Sequence, residues 1–323
     1  MPPQRMQIPL RVYVGCEPEQ DLAFRVLKHS IQRWAPDVEV YAIHEEISRQ
    51  GIKVNWEMPR GMRRRTPFSF QRFAVPELAG HVGKAIYLDS DMLVFADIKR
   101  MLDHVDSEAY MSAATVRPGS HRRPQISVLA YDCDRCCFSL NDVMSQLMKG
   151  SLTYDELFYE VPIVERFSRT IPWVWNDLEH YEHGVSNLVH FTDMDFQPWL
   201  MIENPLTDLW VDALRIALSA GAVTHEDLVR EERAGNVRPS LLVQIERGLR
   251  VDQLPASAKR KDLMFTPPHR IGFTMRPAVK RPVSRLLGLG KPAPSLLNRA
   301  LRVAHGAGYQ VMKRVKGDAL NKH

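Results

Sequence analysis

Lys84-Ala85-Ile86-Tyr87-Leu88 is a short, almost wholly apolar run that leads without a break into Asp89-Ser90-Asp91 and then Met92-Leu93-Val94. Such a run reads as a strand buried on both faces, the kind found in parallel sheets. The residues before it alternate in the same sense. Leu10 to Gly15 (LRVYVG) is a β-branched and aromatic strand ending in glycine, and Asp21 to Trp34 sets Leu22, Val26, Leu27, Ile31 and Trp34 on one face of an amphipathic helix. Val38 to Ile43 returns as a strand, and Gln71 to Ala79 reads as a helix interrupted by Pro76. Strand, helix, strand, helix, strand predicts a parallel sheet with right-handed crossovers. Ligands of such sheets bind beyond the carboxyl ends of the strands, which is where Asp89-Ser90-Asp91 falls. Farther on, Tyr110 to Thr115 and Ile126 to Tyr131 read as strands, Cys136 to Lys149 as a helix, and Asp208 to Gly248 as two or three helical segments.

With 323 residues, 45% hydrophobic and 25% charged, the chain has the make-up of an ordinary globular protein with a sizeable core. No stretch approaches the roughly 18 to 20 apolar residues of a membrane span. The opening MPPQRMQIPLRVYVG lacks the apolar run of a secretory signal, so the expected location is cytoplasmic. Of four cysteines, Cys133, Cys136 and Cys137 crowd one segment apart from Cys16, which is no disulfide framework. The CxxC they contain has no partner pair at zinc spacing. Gly288-Leu289-Gly290-Lys291 is followed by Pro292, which excludes a phosphate-binding P-loop.

The net charge of +5 conceals an asymmetry. From Lys259 onward there are 15 Lys and Arg against Asp262 and Asp318, while the rest of the chain carries 28 basic and 36 acidic residues. The boundaries implied are a catalytic domain over residues 1–254 and a basic extension over 255–323. Within the latter, 255–296 reads as a linker and Ala293 to Lys316 as a basic amphipathic helix. A basic tail meets an anionic surface or stays solvated; residues 259–316 suit peripheral contact with the anionic inner face of a membrane. Nothing interleaves aromatic with basic residues, so no nucleic-acid partner is expected.

Two motifs carry candidate chemistry. Asp89 and Asp91, one residue apart at the end of a buried strand, suit a hard divalent cation that neutralises a substrate diphosphate. The alternative is one aspartate capping a turn and the other solvated. The second motif is Asn187-Leu188-Val189-His190-Phe191-Thr192-Asp193, closed by Gln197-Pro198-Trp199. A neutral imidazole at a strand end is a good third ligand for a cation already held by carboxylates, manganese above all. Arg72, in Phe70-Gln71-Arg72-Phe73, is either a surface cation or a group that stabilises charge on a leaving diphosphate. Ser127, Tyr131-Asp132 and Asn176 are candidates for sugar contacts or for simple turn closure.

Taken in order, the first strand, Arg72 in its helix, Tyr87-Leu88-Asp89-Ser90-Asp91-Met92, Trp175-Asn176 and His190-Phe191-Thr192-Asp193 through Trp199 resemble glycosyltransferase family 8 over about Arg11 to Trp199. The resemblance implies a GT-A-type, Rossmann-like α/β fold: a mixed, mainly parallel sheet flanked by helices, here with a basic helical tail. It implies a retaining, nucleotide-sugar-dependent enzyme in which Asp89, Asp91 and His190 bind manganese or magnesium. Val14, Gly15, Cys16, Glu17, Arg72, Ser90, Asn176 and Gln197, with Asp89, would then contact the donor. Gln197 stands where the family has a lysine that meets the diphosphate, and Asp193 where it has a glycine. The nearest match to the family's acidic segment ahead of Trp-Asn is Asp155-Glu156, the only carboxylates nominated for a covalent retaining route.

The expected activity is transfer of a hexose from a nucleotide sugar, a UDP-sugar first, to a hydroxyl of a saccharide or glycolipid, as in polysaccharide biosynthesis. Two other readings stand beside it. One is a phosphatase of the haloacid dehalogenase type, whose nucleophilic aspartate normally follows the first strand. The other is a non-catalytic protein bound to an anionic membrane.

Overall fold

The computed structural model describes residues 9–57, 59 and 68–269. The chain divides into two compact units, Met1–Glu231 and Glu232–His323.

In the first unit, β1 (Arg11–Gly15), β2 (Glu39–Ala42), β3 (Lys84–Asp89), β5 (Met111–Ala114), β6 (Val128–Asp132) and β7 (Phe167–Ile171) make one sheet in the order β2-β1-β3-β6-β5-β7. β1 pairs parallel with both β2 and β3, and β5 parallel with β7, whereas β6 runs antiparallel to β3 and β5. The sheet is therefore mixed and mainly parallel, as expected, with β6 the single reversed strand. Side chains alternate between its two faces. Val12, Val14, Ile86, Leu88, Val128 and Ala130 pack with Phe24, Leu27 and Ile31 of α1 (Asp21–Gln32). Tyr13, Tyr87, Leu129 and Tyr131 pack on the other side with Phe70, Phe73 and Val143, the last from α4 (Leu140–Lys149). Burial on both faces explains why β3 is apolar throughout rather than alternating.

A second, three-stranded sheet has the order β4-β9-β8, built from β4 (Met92–Val94), β8 (Asp177–Leu178) and β9 (Leu188–His190). Met92 lies opposite His190 in the antiparallel β4–β9 pair. Asp89-Ser90-Asp91 is thus the corner at which the chain leaves the large sheet for the small one.

Local chemistry explains where the elements differ from expectation. The segment Gln71 to Ala79 is no interrupted helix: a 3-10 turn, Gln71–Ala74, passes into one turn of α3 (Val75–Leu78). Pro76 sits in the first turn of α3, where its missing N–H has no intrahelical partner to lose. α4 begins only at Leu140, because Ser139 and Asp142 close a reciprocal capping box there. α2 (Ile43–Arg49), β7 and the very short β4 and β8 go beyond the sequence reading, whereas the strand expected to end at His190 is β9. α5 (Thr207–Ser219), α6 (His225–Ala234) and α7 (Pro239–Glu246) supply the helices expected after residue 208.

In the second unit, α8 (Ala256–Asp262) occupies the start of the expected linker. Its Asp262 accepts from the Ser240 N–H at 2.9 Å, capping the first turn of α7. The expected tail helix lies outside the described residues. Among the described residues no helix is long and apolar enough to cross a membrane.

Candidate metal centre

Asp89, at the end of β3, and Asp91, just before β4, bracket the fully buried Ser90, and β9 delivers His190 alongside them. One ligand atom from each of Asp89, Asp91 and His190 lies within 4.8 Å of the others, and all three residues are buried. The Phe191 N–H donates to the Asp91 carbonyl at 2.8 Å and continues the β4–β9 pairing past the corner. Backbone pairing therefore fixes the distance between the aspartates and the imidazole.

Each member of the triad is held from behind. Tyr87, two residues before Asp89 and so on the same face of β3, donates its hydroxyl to Asp89 Oδ1. Arg72 reaches the same oxygen at 3.2 Å. Arg72 is itself buried: Nε donates to the Ser69 carbonyl at 3.0 Å, Nη1 donates to the Ile126 carbonyl, and the guanidinium lies 4.9 Å from the Tyr87 ring centroid. It is not a surface cation: three of its donors are engaged, one of them on Asp89. Gln197 Nε2 donates to Asp91 Oδ2 at 2.9 Å and to the Phe191 carbonyl at 3.1 Å. Asn176 Nδ2 donates to Ser127 Oγ at 3.2 Å, which turns Asn176 Oδ1 toward His190 Nδ1 at 2.9 Å.

That last contact fixes the tautomer. With Nδ1–H donating to an amide oxygen, the Nε2 of a neutral His190 carries a lone pair. Nε2 faces Asp91 Oδ1 at 3.1 Å and Asp89 Oδ2 at 3.9 Å. Asp91 Oδ1 is buried with only His190 Nε2 within hydrogen-bond distance, and the buried Ser90 hydroxyl is without a partner. The repulsion between a bare Nε2 and a carboxylate oxygen is relieved by a proton on the imidazole or by a metal cation that replaces it. Two hard oxygens and one imidazole nitrogen are a donor set for manganese or magnesium, and the pocket fits such an ion.

The electrostatics agree. Burial drives the Asp89 carboxyl above the usual carboxylate range and Asp91 adds to this, against Arg72, His190 and the Tyr87 hydroxyl. Burial opposes charging of His190, yet Asp91, Asp89 and Glu179 outweigh it and raise its pKa. Burial accounts first for the shift of Asp89, and the carboxylates around His190 for its own, which favours a cation at Nε2, either a proton or a metal.

The remaining expected site residues divide. Gly15 ends β1 beside Asp89, and a Cβ there would fall 2.3 Å from the Tyr87 hydroxyl oxygen, so only glycine fits. Its carbonyl accepts from the Ser90 N–H at 3.1 Å. Val14 is fully buried, and Cys16 is buried with Sγ 3.5 Å from His44 Nδ1, its thiol pKa pushed up first by burial. The Glu17 N–H donates to Gln20 Oε1 at 3.0 Å in the turn before α1. Asp155 is exposed, and Glu156 accepts from the Thr153 N–H and hydroxyl at 2.8 and 2.7 Å, a cap on the π-helical turn Glu156–Glu160. Tyr131 donates to the Arg72 carbonyl at 2.9 Å, while Asp132 pairs in register with Lys84 at the opposite end of β3. The five-residue rise from Lys84 to Asp89 puts Asp132 about 16 Å away, too far to meet a sugar at the triad.

Tyr87, Glu179 and Asp177 were not singled out from sequence. Tyr87 left a signal, since the two-residue period of a strand puts it on the face of Asp89. Glu179 did not: its Oε1 accepts from the Thr192 hydroxyl and the Asp193 N–H at 3.0 and 2.8 Å, from a residue with φ of 55° in a loop. Asp177 is buried against Arg117 at 2.8 Å, a pairing across 60 positions.

Protein CDI of Arabidopsis thaliana is 29% identical to this chain over 231 residues, 64% of the chain and 86% of the relative. No protein-family model matches. Among solved structures, the glycosyltransferase GlyE of Streptococcus pneumoniae TIGR4 aligns with a TM-score of 0.45 at 15% identity over 64% of this chain, which spans only 60% of GlyE. The galactosyltransferase LgtC, solved with donor and acceptor sugar analogs, aligns with a TM-score of 0.43 at 11% identity over 64% of this chain and 95% of LgtC. Both overlaps are loose, and the reading of the site rests on its own geometry.

Proposed function

We propose that this chain is a metal-dependent glycosyltransferase of GT-A type, similar to family 8, moving a hexose from a nucleotide sugar to a hydroxyl of a saccharide or glycolipid. The observation that carries the proposal is the buried Asp89–Asp91–His190 cluster, with His190 Nε2 and the two carboxylates converging at the carboxyl edge of the sheet. Asp89, Asp91 and His190 would hold manganese or magnesium, which supplies Lewis acidity toward a departing diphosphate. Arg72 and Tyr87 orient Asp89, Gln197 orients Asp91, and Asn176 keeps His190 in its ligating tautomer. The catalytic domain in this reading spans residues 1–254.

Retention follows most simply from front-face displacement. The bond from the anomeric carbon to the diphosphate oxygen breaks, the acceptor oxygen bonds on the same face, and its proton passes to the leaving phosphate. This route asks for no protein nucleophile, consistent with the capping role of Glu156 and the exposure of Asp155. The position of Asp89 on β3, between β1 and β6, also differs from the first-strand aspartate of a haloacid-dehalogenase phosphatase.

The test is release of nucleoside diphosphate from a panel of nucleotide sugars with manganese, with and without saccharide acceptors. Acceptor-stimulated release from one donor, lost on chelation, supports the proposal. Absence of release from every donor, with phosphate liberated from simple phosphomonoesters instead, refutes it in favour of a phosphatase.

A further inference from the structure

The loop joining β5 to β6, residues 115–127, contains Arg117, His121, Arg122 and Arg123 and no acidic residue. β5 runs parallel to β1 and β3 in the mixed sheet and β6 returns antiparallel, so both ends of the loop lie at the carboxyl edge that bears Asp89. Contacts stitch it to the site on three sides. At its downstream foot, the Ile126 carbonyl accepts from Arg72 and Ser127 Oγ accepts from Asn176. At its upstream foot, Arg117 bonds both oxygens of buried Asp177 and lies 4.1 Å from the Trp173 ring centroid. At its tip, Arg122 Nη1 donates to Thr192 Oγ1 at 2.6 Å.

Thr192 stands two residues beyond His190, a span of at most about 7 Å. Arg122 is exposed; its guanidinium spends one of five N–H donors on a neutral hydroxyl and its charge also acts on Glu179 behind that hydroxyl. The neighbouring cations are engaged otherwise: Arg72 with Asp89, Arg117 with Asp177, and Arg123 against the Tyr159 ring, 3.4 Å from its centroid. Gln197, uncharged, is tied to Asp91.

Charge balance gives this arrangement a purpose. Asp89, Asp91 and the nearby Glu179 against Arg72 leave two net negative charges, which a divalent cation neutralises without surplus. A nucleotide sugar is negative on each of its phosphates, so a further cation is needed at the site to bind it. We propose that Arg122 is that cation, a phosphate-binding residue that the β5–β6 loop holds beside the metal centre through its bond to Thr192. Glu179, one hydrogen bond behind Thr192, holds the Thr192–Asp193 turn that anchors the guanidinium. The inference rests on the transferase reading and names a donor contact within it.

The experiment is calorimetry on the full chain with manganese, titrating the nucleoside diphosphate that binds best, then its monophosphate and its nucleoside, into wild type, Arg122→Gln and Arg122→Lys. Arg122→Gln should weaken the diphosphate about 10- to 100-fold, as expected for a lost bond to a charged group. It should leave the nucleoside unchanged and lower the salt dependence of binding, and Arg122→Lys should recover part of the loss. Equal weakening of all three ligands would make Arg122 a structural residue and overturn the proposal. Undiminished diphosphate binding, with transfer to a phosphorylated or carboxylated acceptor alone impaired, would move the contact to the acceptor and overturn it too. If wild type binds no diphosphate, the transferase reading falls and the inference with it.

Discussion

Replacing Gly15 by alanine sets a methyl group where Tyr87 already sits. The new carbon would lie 2.3 Å from the hydroxyl oxygen, 3.0 Å from Cζ and 3.1 Å from Cε2. Non-bonded carbon contacts settle near 3.5–4.0 Å, so roughly 1 Å must be found. The ring has nowhere to go: Tyr87 is fully buried, and its hydroxyl is bonded to Asp89. Overpacking of this kind costs about 1–3 kcal/mol. Tyr87→Phe removes the atom at 2.3 Å but also takes a donor from Asp89, a destabilisation of about 1.5–3 kcal/mol for a bond to a charged group. In the double variant the donor loss remains but the clash with the hydroxyl is gone, and the remaining 3.0 Å contact is relieved by a shift of tenths of an ångström. Denaturant unfolding of the four proteins should give a double variant more stable than the summed costs by about 1 kcal/mol. Manganese affinity should fall in both single variants. A Gly15→Ala protein that unfolds and binds metal like wild type, or two costs that simply add, would refute the claim that Gly15 shapes the metal centre through Tyr87.

Asn176→Ala should leave the protein folded while manganese affinity drops about 10- to 100-fold, the usual effect of losing a group that orients a ligating histidine; an unchanged titration would separate Asn176 from the metal. Asp155→Asn and Glu156→Gln should each keep transfer within a few-fold of wild type, whereas collapse of the rate in either one would replace front-face displacement with a covalent route. Burial opposes ionisation of Asp227, but the Thr224 hydroxyl and N–H, then Arg230 and Arg25, bring its pKa down to about 2. Its folded pKa lies below the unfolded value of about 3.9, so its stabilisation is present above that value and is lost as pH falls toward the folded one. Chemical unfolding followed from neutral pH to about 2 should therefore lose less stability in Asp227→Asn than in wild type; parallel curves would contradict the assignment.

The triad itself was legible because its signals are local. An apolar run ending in two spaced carboxylates marks a strand end, and His190 closes the short apolar pair Leu188-Val189. What holds the triad was not legible, because it depends on pairings between distant segments. Gln197 finds Asp91 across 106 positions and Asn176 finds His190 across 14, through a three-stranded sheet whose members are two or three residues long. No periodicity can declare a strand of that length. Arg72 was read as a choice between solvent and diphosphate, and the fold gave it a third role on Asp89, set by its enclosure between Tyr87 and Phe158. Glu156 looked like a candidate nucleophile because sequence shows a carboxylate but not the Thr153 donors that engage it.

The most direct test of the account is calorimetry of nucleotide sugars with and without manganese, on wild type and on Asp91→Ala. Metal-dependent binding of one donor is expected, abolished by the substitution in a protein that remains folded. Absence of binding to any donor by folded wild type, or donor binding that survives both metal removal and the loss of Asp91, would contradict it.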